Sequence, residues 1–352
     1  MLAEPGRGYE RLVELIIGAK IAAALHVVVD KGLADVLARG PQTAEALAQA
    51  VQVPLETLRR FLRALTQVGL FAEVKDGVFA NTEVSEHLRT DVPYSLRDMV
   101  TVLDDEAVAR GWRRLPDVLA SGQPAFDAVN GMGFFDWIKS DPLRSAAMAS
   151  FMGGIYGPQG AKIAAGYPFG SFSTLIDIGG GNGHVLAAIL ALHPQLRGVL
   201  FDLPPTADVA RRFLAERGLA SRCEVFAGDF FETVPSGYDA YMLKSCLHDW
   251  HDAKAVEILR RCRKAMPDHG RVLIVEIVLA PGRPIGHPHR LIDLEMMVTL
   301  GGKERSEQEF ANLLAQARLR LTAVTPIAGS FLCCRSLSGL RTSASDCQLS
   351  QS

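Results

Sequence analysis

The stretch from Thr174 to Asp202, TLIDIGGGNGHVLAAILALHPQLRGVLFD, limits what this chain can fold into more than any other. An apolar run (Leu175, Ile176, Ile178) carries one acid, Asp177, and stops at Gly179-Gly180-Gly181-Asn182-Gly183. A helical pattern follows, and a second apolar run, Val199 to Phe201, ends in Asp202. Strand, glycine turn, helix, strand, acid is the order of the first βαβ unit of a nucleotide-cofactor domain on an open α/β sheet. Glycines such as Gly179 and Gly181 let the backbone pass close under a ligand. An acid at the end of the second strand, here Asp202, can accept protons from both hydroxyls of a ribose.

The same stretch argues against a dinucleotide. That turn follows G-x-G-x-x-G, with pyrophosphate on the helix N-terminus. Counted from Gly179 the last glycine slot is His184, and counted from Gly181 it is Leu186. An acid two residues before the first glycine repels pyrophosphate and suits an ammonium. S-adenosylmethionine carries an ammonium, a sulfonium and a ribose but no phosphate, and it is the cofactor expected here.

In an open parallel sheet, ligands bind outside the carboxyl ends of the strands. The expected strand ends supply Gly179, Asp202, Gly228-Asp229-Phe230, then Lys244 with Ser245 and His248 just beyond, and Glu276. Asp229 can accept from an adenine amine while Phe230 stacks on the ring, and Lys244 is placed to touch the cofactor. His248 lies in LHDWHD beside Asp249, with His251 as a nearby competitor. A neutral imidazole is a suitable general base for a phenol, whose pKa is about 10. A carboxylate on its other ring nitrogen would fix the tautomer, and Glu276 and Glu304 are the candidates. No hard-cation cluster of carboxylates is evident near His248, so no metal is expected.

The chain's 352 residues suffice for two domains. A hydrophobic content of 48% and a net charge of −2 give no basic excess that calls for nucleic acid or an anionic membrane. The first residues lack signal-peptide order, uncharged apolar runs fall short of a membrane span, and the six cysteines show no metal or disulfide spacing. A reduced, cytoplasmic protein is expected.

Residues 9–30 show helical periodicity and are apolar on more than one face, which suggests burial against a second subunit. A Thr43-capped helix, a second helix over 53–70 and a hairpin around Asp76-Gly77 read as a winged helix-turn-helix. Arg59, Arg60 and Arg63 would face phosphate if it bound DNA. The wing, however, carries only Lys75 beside Glu73 and Asp76, which favours packing and dimerisation. Residues 82–170 are mainly helical and rich in aromatic residues and Met, and Phe151 and Met152 are candidates for a hydrophobic substrate wall. The boundaries read as a winged-helix domain over 1–100, a helical linker and pocket region over 101–170, a cofactor domain over 171–335 and a disordered Ser-rich tail over 336–352.

LIDIGGGNGH (175–184), FDLP (201–204), GDFF (228–231), LHDW (247–250), VEIVLAPG (275–282) and GGKERSEQEF (301–310) occur in an order and spacing similar to those of a known family. Over roughly residues 10–335 the chain resembles the S-adenosylmethionine-dependent O-methyltransferases of plant caffeic acid and flavonoid metabolism and of bacterial antibiotic and phenazine synthesis. The resemblance implies a Rossmann-like class I methyltransferase sheet behind an all-helical winged-helix dimerisation domain, and a homodimer that binds neither nucleic acid nor membrane. It implies cofactor contacts at Gly179, Asp202, Asp229, Phe230 and Lys244, with S-adenosylhomocysteine as product and an aromatic hydroxyl as acceptor. It also implies His248 as base bracketed by Glu276 and Glu304, and Met296 in the substrate wall. Relatives with altered chemistry on nitrogen or carbon, by decarboxylation or by hydroxylation are the alternative, and a DNA-binding regulator is the alternative of another class. The sequence departs from the family at Ser245, at Arg318 where a Gly is usual, and in the cysteine pair of the last strand.

Overall fold

The structure is a computed structural model that describes residues 7–279, 289–328 and 331–338. It divides into two compact units, one built from residues up to Arg110 with Ile138–Ile155, the other from Gly111–Trp137 and the chain from Tyr156 onward. The region expected as a linker, 101–170, is therefore shared between the two units.

The first unit begins with helix α1 (Arg7–Asp30). Only Val28 and Val29 of it are buried, while Leu12, Leu15 and Ile16 are exposed. Strand β1 (Gln42–Thr43) leads into α2 (Ala44–Val51), whose first turn is capped by Thr43 Oγ1 accepting from Ala46 N at 3.2 Å. Helix α3 (Leu55–Gln67) follows, then the wing strands β2 (Phe71–Lys75) and β3 (Val78–Asn81). The three strands pair in the order β1-β3-β2, so the unit is not all-helical as the family resemblance implied. Leu47, Leu58, Leu62, Phe71 and Phe79 fill its core.

Helix α4 (Pro142–Gly166) contributes residues to both units. The second unit is the α/β sheet. Its elements run β4 (Thr174–Ile178), α5 (His184–Leu192), β5 (Arg197–Asp202), α6 (Pro204–Glu216), β6 (Cys223–Ala227), β7 (Ala240–Lys244), α7 (Asp252–Ala265) and β8 (Arg271–Leu279). After these come α8 (His289–Glu295), a π-helical turn over Met296–Leu300, β9 (Arg305–Ser306), α9 (Glu307–Gln316), β10 (Leu319–Ala328) and β11 (Phe331–Ser338). The sheet order is β10-β11-β8-β7-β4-β5-β6, with β11 antiparallel to both neighbours and β4 to β8 mutually parallel. This is the Rossmann-like class I methyltransferase sheet.

Strands buried on both faces read as continuous apolar runs, which made them visible in the sequence. Alternation along them builds two cores: Leu175, Met242 and Leu273 pack on one face, Ile176, Leu243 and Ile274 on the other. The strand order reverses at β4, which pairs with β5 on one side and β7 on the other, and ligands bind at such a switch point. The C-terminal edge, where the sequence departs from the family, pairs as part of the sheet. Arg318 takes the left-handed conformation, φ 58°, that a glycine would supply, and β11 pairs along β8. Residues 336–338 belong to β11, and the rest of the expected tail lies outside the described residues.

Candidate active site

The turn after β4 is built around two carboxylates. A Cβ at Gly180 would stand 2.9 Å from the Asp177 carboxylate, so only glycine lets the backbone cross there. Gly179 and Gly181 have φ of 68° and 60°, and space around a Cβ at Gly181 is open. Asp202 ties the turn to the end of β5: its Oδ2 accepts from Gly181 N at 2.8 Å and its Oδ1 from Leu203 N at 2.7 Å. Asp177 is buried, and its Oδ1 has no hydrogen-bond partner. Burial pushes its carboxyl up to about 7, against the charge of Lys244 and helped by that of Asp202. A buried acid with a free oxygen, beneath a glycine turn with open space, fits a ligand that brings a cation.

Asp229 and Phe230 follow β6 as expected. Asp229 Oδ1 accepts from Phe231 N at 2.7 Å, and the Phe230 ring reaches within 3.7 Å of a Cβ placed on Gly179. Lys244, at the end of β7, shares a sheet face with Asp177. Its ammonium lies 2.8 Å from the ring centroid of Tyr156. Burial holds it well below its ordinary pKa, opposed by the charges of Glu276, Asp177 and Asp249.

His248 sits beyond β7 in a single 3-10 turn, Leu247–Asp249, and is buried. Its Nδ1 donates to Glu304 Oε1 at 2.8 Å, while its Nε2 lies 3.4 Å from Asp249 Oδ1. Glu276 is not at a strand end, because β8 continues to Leu279. Its Oε1 accepts from both Cys246 N and Leu247 N at 2.9 Å, and its Oε2 stands 3.9 Å from His248 Nδ1. Burial alone would lower the imidazole. The charges of Glu276 and Asp249 and the Glu304 contact outweigh it and raise His248 to about 10. An imidazole near its ordinary value was expected, and three partly or fully buried acids around one ring are the reason it is not so. Burial raises Asp249 to about 7 and moves Glu304 upward as well.

These acids bear on the expectation that no hard-cation cluster of carboxylates lies near His248. One ligand atom each from His248, Glu276 and Glu304 lies within 4.8 Å of the others, a geometry that could hold a cation. The donors already serve one another: Nδ1 is bonded to Glu304, and one Glu276 oxygen holds two amides.

Met296 opens the π-helical turn, and the preceding Glu295 accepts from Trp112 Nε1 at 2.7 Å and Thr299 Oγ1 at 2.6 Å. Phe151 and Met152 fall on the part of α4 that belongs to the first unit. Asp249, Tyr156 and Arg305 were missed as site residues. Asp249 adjoins His248 in LHDW and was visible there, whereas nothing local marked the other two. On α3, Arg59 pairs with Glu45 of α2 at 2.7 Å, and Arg63 with Asp76 at 3.1 Å and Glu73 at 3.4 Å in the wing. Helix α1 has a mean hydropathy of 2.1 over 18 residues and is long and apolar enough to cross a membrane by that measure. The expectation concerned uncharged runs, and Arg11, Glu14 and Lys20 interrupt this one.

Comparison with known proteins gives the same outline. Residues 112–320 match the family model for an O-methyltransferase domain, and residues 13–91 that for an O-methyltransferase dimerisation domain. The mitomycin biosynthesis 6-O-methyltransferase of Streptomyces lavendulae is 39% identical over 321 residues, covering 90% of each chain. The 8-amino-8-demethylriboflavin N,N-dimethyltransferase of Streptomyces davaonensis is 34% identical over 90% of this chain and 92% of its own. The crystal structure of NcsB1, an O-methyltransferase from neocarzinostatin biosynthesis in complex with S-adenosylmethionine and 2-hydroxy-5-methyl naphthoic acid, superposes with a TM-score of 0.78. It has 36% identity and covers 91% of this chain and 96% of that one.

Proposed function

The chain belongs to the S-adenosylmethionine-dependent O-methyltransferases that carry an N-terminal dimerisation domain, and from that premise we propose that it methylates a hydroxyl of an aromatic small molecule with His248 as general base. When bound, S-adenosylmethionine supplies a methyl group already activated by its sulfonium. The chain's residues have three tasks: to hold the cofactor, to orient the acceptor and to take its proton. Asp177 and Asp202 are assigned to the cofactor's ammonium and ribose, with Asp229, Phe230 and the Gly179–Gly181 turn beside them. Lys244 closes the same edge.

The observation that carries the reading is the hydrogen bond from His248 Nδ1 to Glu304. It fixes the ring and directs Nε2 away as the proton acceptor, next to Asp249. An ion pair with Glu304 stabilises the imidazolium formed when a phenol loses its proton. The acids around the ring raise the imidazole, and a cation bound nearby disfavours the imidazolium and moves it back down toward working pH. An amine acceptor offers a lone pair without prior deprotonation, so the buried His–Glu pair favours oxygen over nitrogen. No step in this reading is assigned to a metal. Phe151, Met152 and Met296 are proposed as wall residues, aromatic acceptors being what the similar enzymes are named for. Arg59 and Arg63 of α3, already paired in the chain, support protein packing over nucleic acid, and α1 is assigned to the dimer rather than to a membrane.

The test is mass-spectrometric detection of a +CH2 product from a panel of phenolic acids, flavonoids, hydroxyphenazines and hydroxynaphthoates, run with and without saturating EDTA. Methylation of a hydroxyl that persists in EDTA is expected. Methylation confined to amines, or activity lost to EDTA and restored by magnesium, would overturn the reading.

A further inference from the structure

The segment that follows the π-helical turn, Gly301 to Arg305, runs against the catalytic turn residue by residue. A Cβ at Gly302 would stand 1.9 Å from the His248 carbonyl oxygen and 2.6 Å from the Asp249 carbonyl carbon. Lys303 N donates to that same His248 oxygen at 2.9 Å, and Glu304 takes the His248 ring. Arg305 completes the contact. It is fully buried, and its guanidinium donates from Nη1 to Leu247 O at 2.9 Å and from Nη2 to Trp250 O at 2.7 Å. Nε and Nη2 also reach Asp252 Oδ1 at 3.1 and 2.9 Å, which compensates the buried charge.

Glu276 holds the amides of Cys246 and Leu247, on the chain entering His248. Arg305 holds the carbonyls of Leu247 and Trp250, on either side of it. The turn's own hydrogen bond, Trp250 N to Leu247 O, is long at 3.2 Å, so one 3-10 bond alone would leave the turn free to rock. A planar guanidinium with donors in a fixed fork can span two carbonyls that a lysine ammonium cannot hold in the same geometry.

We propose that Arg305 is a positioning residue for the proton transfer, fixing through the Leu247 and Trp250 carbonyls the direction in which His248 presents Nε2 to the acceptor. The inference rests on His248 being the base. The groups that face the ring are Glu276, Asp249 and Glu304, and Asp293 stands behind Glu304, accepting from its amide at 2.7 Å.

Two variants disturb the turn from different sides. Arg305→Lys keeps a cation beside Asp252 but loses the span. Gly302→Ala leaves a backbone outside the left-handed region and adds one methyl against His248 O. Three quantities are measured: S-adenosylmethionine affinity by calorimetry, the His248 titration by NMR of histidine-labelled, ligand-free protein, and kcat and KM with the best phenol of the panel above. Both variants are expected to keep cofactor affinity within about twofold and to lose about tenfold or more in kcat with little change in KM. The imidazole titration should move down toward 6.5 as the ring slips from its acids. Folded Arg305→Lys protein with wild-type kcat and wild-type titration would overturn the proposal. So would a loss of kcat matched by an equal loss of cofactor affinity in both variants. If His248→Ala keeps full turnover, the base assignment fails instead, and the NMR titration still reports whether Arg305 sets the ring's surroundings.

Discussion

Glu304 Oε1 accepts from His248 Nδ1 at 2.8 Å, a pair closed off from solvent on both sides. The other acid expected to bracket the ring, Glu276, is 3.9 Å away and serves the backbone of the turn. The two glutamates therefore do different work. His248→Ala should lower kcat by the roughly 10²–10⁴-fold typical of a lost general base while leaving cofactor affinity intact. Glu304→Gln removes the charge that stabilises the imidazolium, worth about 1.5–3 kcal/mol, or roughly 10–150-fold in rate. Glu276→Gln keeps an oxygen for the two amides and should cost less than Glu304→Gln. Steady-state kinetics ranking Glu276→Gln as the more damaging would reverse these roles.

The raised His248 value predicts a pH dependence of stability. The folded ring holds its proton to about 10, against 6.5 for the ordinary group, so the folded state binds more protons between those values. Its stabilising contribution is complete below pH 6.5 and is lost as pH rises toward 10. Denaturant melts of the wild type and of His248→Gln should therefore differ most below pH 6.5, and the gap should shrink as pH rises toward 10. A gap that stays constant between pH 7 and pH 10 would show that the ring is already neutral in the folded chain.

Asp177 predicts a proton linkage of the opposite kind. Its carboxyl, ordinarily near 3.8, stands at about 7, and a bound cation favours the ionised form. Cofactor binding should release a proton near pH 7, and affinity should rise as pH passes from 6 to 8. Calorimetry in buffers of different ionisation enthalpy measures the release directly. Asp177→Asn should bind more weakly at pH 8 and lose the dependence. An unchanged dependence in that variant would assign the proton to another group.

Asp202 is already engaged with Gly181 N and Leu203 N, so its removal touches both the turn and the ligand. Asp202→Ala should weaken S-adenosylmethionine binding by roughly tenfold or more, the equivalent of one charged hydrogen bond. Thermal melting of the ligand-free variant close to wild type, with calorimetry showing the weaker affinity, is the expected pair of results. Equal affinity would remove Asp202 from the cofactor site.

What was legible in the sequence follows from range. The β4 turn and Asp202 lie within one βαβ unit, where buried parallel strands and glycines leave a local signature, and His248 lies one turn beyond a strand that reads clearly. Glu304 and Arg305 come from the far side of the π-helical turn, 56 and 58 residues from their partners His248 and Leu247. No periodicity encodes such a contact. For Glu304 the resemblance to known enzymes supplied what spacing did not. For Arg305, an arginine in a charged string gave no sign of complete burial. Tyr156 was hidden for a related reason: an aromatic on a helix reads as core, and only the end of β7 reveals that it covers Lys244. Glu276 was placed at a strand end because VEIVLAPG offers an acid before the turn; hydrogen bonding extends β8 past it.

Helix α1 carries the last prediction. Its exposed Leu12, Leu15 and Ile16, 56%, 62% and 67% accessible, lie on a helix with two buried residues. Fully burying each such side chain is worth about 1.5–3 kcal/mol, more than a free surface forgoes without a partner. The dimerisation domain, which takes in this helix from residue 13 onward, points to a second copy of the chain as that partner. Ile16→Asp with Leu12→Asp places two charges on the same helix face, two residues that make no buried contact within their own unit. Sedimentation velocity at micromolar concentration should show a dimer for the wild type and a monomer for the double variant, with α2, α3 and the wing still folded. Should the variant instead remain dimeric, the interface lies elsewhere in residues 13–91. A wild type that partitions onto lipid vesicles, and a variant that does not, would instead assign α1 to a membrane surface.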